Sequence, residues 1–243
     1  MSNAASRDPS ETQFREFHTF GDMNAFLVQD IVNRLTDSVA QRGHASLVAS
    51  GGTTPGAMFD LLACADMPWR DVAVTLSDDR WIETTSDHSN EKLVRNRLLT
   101  AKAAAARFVP LKTGHRHAQD ARHEVDAAVR AMPRPFDVVL LGMGTDGHIA
   151  SLIPGAEGLA RALDRRDSAL VQAIHPADLS EKGERMSLTL RALLEARRII
   201  VLLRGAEKRE AYRWVMRGTD PLQAPARALL QQTDVPVSVC WAP

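Results

Sequence analysis

The sequence predicts an α/β fold: a three-layer α/β/α arrangement, Rossmann-like, around a mostly parallel central sheet. Three observations predict it. Short runs rich in Val, Ile and Leu alternate with longer amphipathic segments, the pattern of βα units. The chain of 243 residues is long enough for one large domain with a well-buried core. Its most unusual residue clusters each follow directly on a predicted strand, where parallel sheets bind ligands.

The elements follow in order. The first thirteen residues, MSNAASRDPSETQ, are small and polar and read as a disordered tail, with Ser2-Asn3-Ala4 resembling a cloning scar. The remainder, 14–243, reads as a single domain. Met23 to Arg42 has the length and periodicity of a long helix. Ala45 to Ala49 is a strand running into Gly51-Gly52, and Gly56 to Ala65 a helix started by Pro55. Val72 to Leu76 is a strand entering Asp78-Asp79-Arg80, and Asn90 to Leu99 a helix capped by Ser89. Ala118 to Met132 is a further helix. Phe136 to Leu141, FDVVLL, is the clearest buried strand. Ala169 to Ile174, Arg185 to Leu190, Arg198 to Leu203 and Pro236 to Cys240 read as strands, and Glu207 to Met216 as a helix.

Thirty basic and thirty acidic residues cancel, so no global field draws the chain to nucleic acid or an anionic membrane. No apolar run approaches the roughly 18 residues of a spanning helix, and no signal peptide is visible. Cys64 and Cys240 lie in apolar contexts and read as buried thiols of a reducing, cytoplasmic compartment.

The segment GMGTDGHIASLIPG, Gly142 to Gly155, contains G-x-G-x-x-G. A dinucleotide turn would need a long helix starting inside the motif, and Pro154-Gly155 stops one early. The turn instead places Asp146 and His148, an acid–base pair, where a ligand can approach the glycine backbone. SGGTTPG, Ser50 to Gly56, combines free backbone N–H groups, hydroxyls and a helix start, the ingredients of an anion cradle from Gly51, Gly52 and Thr53. Arg80 can form a fork against a phosphate or carboxylate. Arg185 in ERMSLTL and Lys208 just past a strand can supply positive charge for a phosphorylated substrate. No G-x-S-x-G elbow occurs, and His115-x-His117 lies in a polar loop without metal-ligand spacing.

SGGTTPG, DDRW…SN, GMGTDGHIASLIPG, ERMSLTL and G-x-x-K resemble, in this order, the motifs of the 6-phosphogluconolactonase family, over about Phe17 to Val239. The resemblance implies the fold shared with glucosamine-6-phosphate deaminases and ribose-5-phosphate isomerases. It implies hydrolysis of a sugar-phosphate lactone with no metal or organic cofactor, by a monomer or small homo-oligomer. The deaminase branch is the alternative, but Ile153 stands where that branch has glutamate, and Arg80 where it has tyrosine. A third reading is a sugar-phosphate sensor without turnover. Asp79 replaces the usual lactonase glutamate and Ile153 the usual phenylalanine. His148 is expected as the general base, oriented by Asp146 or Asp78. Arg80 and the turn's amides are candidates for the oxyanion. Gly51, Gly52, Thr53, Gly144, Arg185 and Lys208 are candidates for the substrate and its phosphate.

Overall fold

The computed structural model describes residues 12–177 and 183–243. The segment read as a tail lies outside them up to residue 11, and the first strand, β1 (Gln13–Glu16), begins at that segment's last residue. The helix α1 (Phe20–Arg42) starts three residues before the apolar periodicity does, because the Thr19 side chain caps it by accepting the Asp22 N–H at 3.0 Å. Gly43, at φ 75°, ends it in the left-handed conformation. Met23, Leu27, Ile31 and Leu35, one turn apart, form its buried stripe.

The remaining central strands are β2 (Ala45–Ala49), β3 (Val72–Leu76), β5 (Arg107–Phe108), β6 (Val138–Gly142), β9 (Ile199–Arg204) and β10 (Val237–Ala242). With β1 they form a seven-stranded sheet in the order β1-β10-β9-β6-β2-β3-β5, every neighbouring pair parallel. All five residues of β2 and of β3 are buried, as are the first five of β9, so these strands face helices on both sides and read as unbroken apolar runs. The helices between them are α2 (Gly56–Ala63), α3 (Asn90–Arg97), α4 (Ala118–Arg130) and α7 (Ala206–Arg217), with three shorter ones, α5 (Leu159–Leu163), α6 (Leu190–Leu194) and α8 (Ala226–Leu230).

A second sheet is not distinguished by the sequence pattern. β4 (Asp78–Arg80), β8 (Arg185–Leu188) and β7 (Val171–Ile174) pair antiparallel, outside the central sheet. The chain passes into it one residue after β3: Ser77 donates its N–H to the Ala49 carbonyl of the central sheet (2.9 Å), and its own carbonyl accepts the N–H of Leu188 (2.8 Å). The charged triplet Asp78-Asp79-Arg80 is therefore a strand, not a solvated turn, with Arg80 opposite Arg185.

The cysteines divide. Cys240 is buried and burial pushes its thiol up to about 11, whereas Cys64 is exposed, because it ends α2 beyond the buried face. Among the described residues no helix is long and apolar enough to cross a membrane.

Candidate active site

The carboxyl ends of β2, β3, β6 and β9 open on one cavity of about 250 Å³. Its wall includes Gly51, Gly52 and Thr53 after β2, Asp78 and Arg80 of β4, Gly144 and His148 after β6, Arg185 of β8 and Lys208 of α7. Nine of the ten residues expected at the site thus share one space. The tenth, Asp146, stands behind His148 and bonds to it.

The loop after β6 is folded on itself. Gly144 N–H donates to the His148 carbonyl (2.9 Å), Gly147 N–H to the Gly144 carbonyl (3.1 Å), and Met143 bridges Ile149. No helix follows until α5, whereas a dinucleotide turn would require one starting inside the motif. Asp146 Oδ1 lies 2.7 Å from His148 Nδ1 and also accepts the His148 backbone N–H at 3.2 Å. Two glycines make this possible. A Cβ on Gly144 would stand 2.2 Å from both Asp146 Oδ1 and His148 Nδ1, so the pair occupies the space a side chain would fill. Gly147, at φ 76°, packs so closely that a Cβ there would meet the Ala224 methyl at 2.7 Å. Burial raises the Asp146 carboxyl, but the hydrogen bonds and charge of His148 outweigh it and bring it down to about 2. The carboxylate is therefore ionised and can only accept, which places the imidazole proton on Nδ1 and leaves Nε2 as the free nitrogen.

The sequence left the orienting residue open between Asp146 and Asp78. Asp146 makes the contact; Asp78 is engaged elsewhere. Its carboxylate accepts the Ser77 hydroxyl at 2.9 Å and the Ser151 hydroxyl at 2.5 Å, and lies 3.9 Å from Arg185. Arg185 in turn donates to Ser151 Oγ at 3.2 Å. Its guanidinium is buried, with Nε unpartnered among the described residues, and desolvation lowers its pKa, opposed by the charge of Asp78. A second expectation also changes. The Gly144 and Gly147 amides are donated inside the turn, so Gly144 contributes clearance for the pair and not an N–H for a ligand.

After β2, no backbone N–H of Gly51, Gly52, Thr53 or Thr54 donates to another group among the described residues, and Gly52 sits at φ 85°. Arg80 Nη1 donates to the His88 carbonyl at 2.8 Å, which fixes the guanidinium and leaves Nη2 without a partner among the described residues. Two residues inside the quoted motifs carry no site role in the sequence reading. Asn90, a helix start and the last residue of DDRW…SN, lines the cavity, donates from Nδ2 to the Asp78 carbonyl (2.8 Å), and packs where a Cβ of Gly51 would be, 1.9 Å from its Oδ1. Ser151 is wholly buried between Asp78 and Arg185, a contact visible only once β4 and β8 are known to pair.

His115 and His117 are exposed as expected; His117 bonds to Glu184 at 2.7 Å. Among the described residues no three His, Cys, Asp or Glu side chains converge as metal ligands.

The profile of the glucosamine-6-phosphate isomerases/6-phosphogluconolactonase family matches residues 20–241, nearly the whole domain. The chain belongs to this family. Within it, a 6-phosphogluconolactonase of Mesorhizobium japonicum is 41% identical over 213 residues, 88% of each chain. One of Caulobacter vibrioides is 41% identical over 87% of this chain and 89% of its own. The crystal structure of a 6-phosphogluconolactonase from Shewanella baltica superposes with a TM-score of 0.92 at 39% identity, covering 96% of this chain and 98% of that one. A monomeric glucosamine-6-phosphate deaminase shares the fold alone, with a TM-score of 0.77 at 17% identity.

Proposed function

We infer that this chain is a 6-phosphogluconolactonase: it hydrolyses 6-phospho-D-glucono-1,5-lactone to 6-phospho-D-gluconate, the second step of the oxidative pentose phosphate pathway. The observation that carries the reading is the Asp146–His148 pair on the wall of a cavity that also holds Arg80, Arg185 and Lys208. A base with a fixed tautomer beside a cluster of cations suits an ester inside an anionic substrate. The family's named relatives support the same reading.

In this mechanism His148 Nε2 takes a proton from water as its oxygen attacks the C1 carbonyl. Asp146, hydrogen-bonded to Nδ1, stabilises the resulting imidazolium. Arg80 faces the oxyanion of the tetrahedral intermediate. The C1–ring-oxygen bond then breaks, and the imidazolium returns its proton to the departing ring oxygen, which becomes the C5 hydroxyl. The carboxylic acid formed at C1 ionises in water. The amides of Gly51 to Thr53, with Arg185 and Lys208, bind the phosphate and sugar hydroxyls. Asp78 and Ser151 hold Arg185.

The test is hydrolysis of freshly generated lactone, corrected for spontaneous opening, beside ammonia release from glucosamine 6-phosphate. Enzymatic opening of the lactone without ammonia release supports the reading. Ammonia release without lactone turnover assigns the deaminase reaction instead, and binding without either supports the sensor.

A further inference from the structure

The cavity wall carries a fourth cation, Arg204, besides Arg80, Arg185 and Lys208. It is the last residue of β9, and Gly205, at φ 84°, turns the chain from there into α7, which brings Lys208 back within its first turn. One strand end therefore presents two cations to the same space. The Arg204 guanidinium lies 4.3 Å from the centroid of the Phe20 ring, at the start of α1. A cation–π contact holds a guanidinium in place without using its N–H donors, which stay free for an anion. Among the described residues no carboxylate pairs with Arg204, so its charge is not already spent on a neighbouring acid.

The charges around the cavity point the same way. Four cations line it; the carboxylates in contact with its groups are Asp78, beside Arg185, Asp79, which accepts the Arg80 and Asn90 N–H groups, and Asp146, beside His148. The cations outnumber these carboxylates by one, which suits an anionic substrate. Without Arg204 the two are equal in number.

We propose that Arg204, held against Phe20, is a specificity-determining residue that contacts the phosphoryl group of the substrate together with Lys208. The proposal rests on the lactonase reading and extends it to a residue outside the five sequence motifs. An unphosphorylated lactone offers nothing for this guanidinium to bind, so Arg204 acts on the choice between the two classes of substrate.

The experiment compares kcat/KM for 6-phosphogluconolactone and for unphosphorylated D-glucono-1,5-lactone in the wild type, Arg204→Ala, Arg204→Lys and Phe20→Leu. Inorganic phosphate is used alongside as a competitive probe, and its binding is also measured by calorimetry, which does not depend on turnover. The preference for the phosphorylated lactone falls about tenfold in Arg204→Ala, the scale of one charge-assisted contact at an open site, through a raised KM. Phe20→Leu and Arg204→Lys lose part of it, because each keeps the charge and removes the stacking. Arg217→Ala, an exposed arginine at the far end of α7, serves as a control for net charge and keeps the preference. Equal losses on both lactones, or unaltered phosphate binding in Arg204→Ala, overturn the proposal. A wild type that binds phosphate through Arg204 yet opens no lactone leaves the assignment of Arg204 standing and removes the lactonase reading.

Discussion

Asp146 Oδ1 accepts from both the backbone and the ring of His148, so one oxygen sets the tautomer on which the proposed chemistry depends. His148→Asn retains a polar side chain but cannot take a proton from water. General-base catalysis is worth about 10² to 10⁴ in rate. The variant is expected to stay folded, to bind 6-phosphogluconate, and to lose kcat by that factor; hydrolysis within a few-fold of wild type would remove His148 from the base position. Asp146→Asn tests the partner. The carboxyl, brought down to about 2, stays charged across the working range and stabilises the imidazolium. Removing that charge leaves the imidazolium formed during proton transfer without its counter-charge, so kcat falls while KM changes little. Steady-state kinetics checks this: a raised KM with kcat unchanged would make Asp146 a binding residue and not the partner of the base.

At the scale of elements, the site depends on how α3 is fastened to β4. Asp79, buried in β4, accepts the N–H groups of Arg80 (2.8 Å), Asn90 (2.7 Å) and Glu91 (3.0 Å) and the hydroxyl of Ser89 (3.2 Å). It anchors the helix that delivers Asn90, and these contacts engage both of its oxygens. Desolvation pushes its carboxyl up to about 6, against the opposing N–H groups of Asn90 and Glu91. Because the folded state holds the proton more tightly than the unfolded chain, Asp79 contributes stability below about pH 4 that is lost as pH rises through about 6, on the order of 2–3 kcal/mol. Chemical denaturation from pH 4 to 7 should show wild type losing that much relative to Asp79→Asn, which has nothing to titrate. A constant difference would mean the carboxyl titrates at its ordinary value. Gly51→Ala probes the other side of the same contact. Its Cβ would displace Asn90, so it is expected to cost about 1–3 kcal/mol and to raise KM. Thermal melting and steady-state kinetics check both.

The same elements show what the sequence could and could not convey. Ala45–Ala49 and Val72–Leu76 are read to the residue, because strands buried on both faces are continuous apolar runs bounded by turn residues. Ser89 is read correctly as a cap, since its hydroxyl accepts the Lys92 N–H. Asp78-Asp79-Arg80 has no apolar period, and its pairing with β8 depends on residues more than a hundred positions away. The candidate residues themselves were legible because glycines, prolines and charges after strand ends are unusual locally. Their partners, Ser151 for Asp78 and Asn90 for Gly51, are ordinary residues whose importance exists only through tertiary contact.

On the scale of the whole molecule, β1 at one end of the chain pairs with β10 at the other, and the cavity draws on both sheets. We propose that residues 14–243 unfold as one unit, with ligand binding felt by all of it. 6-Phosphogluconate at 100 times its Kd stabilises the native state by about 2.7 kcal/mol. For a domain of this size that raises Tm by about 5–10 °C in a single transition. Lys208→Ala, which removes a phosphate contact from an accessible helix start, is expected to weaken binding about tenfold and so to leave about 1.4 kcal/mol, half the shift, at the same ligand concentration. Arg185→Ala is a different case. It uncovers Asp78 in a buried position, so it lowers Tm before any ligand is added as well as weakening the response. His148→Asn should keep nearly the full shift, because its loss lies in the proton transfer and not in holding the product. Differential scanning calorimetry of the four proteins with and without 6-phosphogluconate separates these outcomes: two resolved transitions would divide the chain into independent units, and a His148→Asn shift as small as that of Lys208→Ala would make His148 a binding residue.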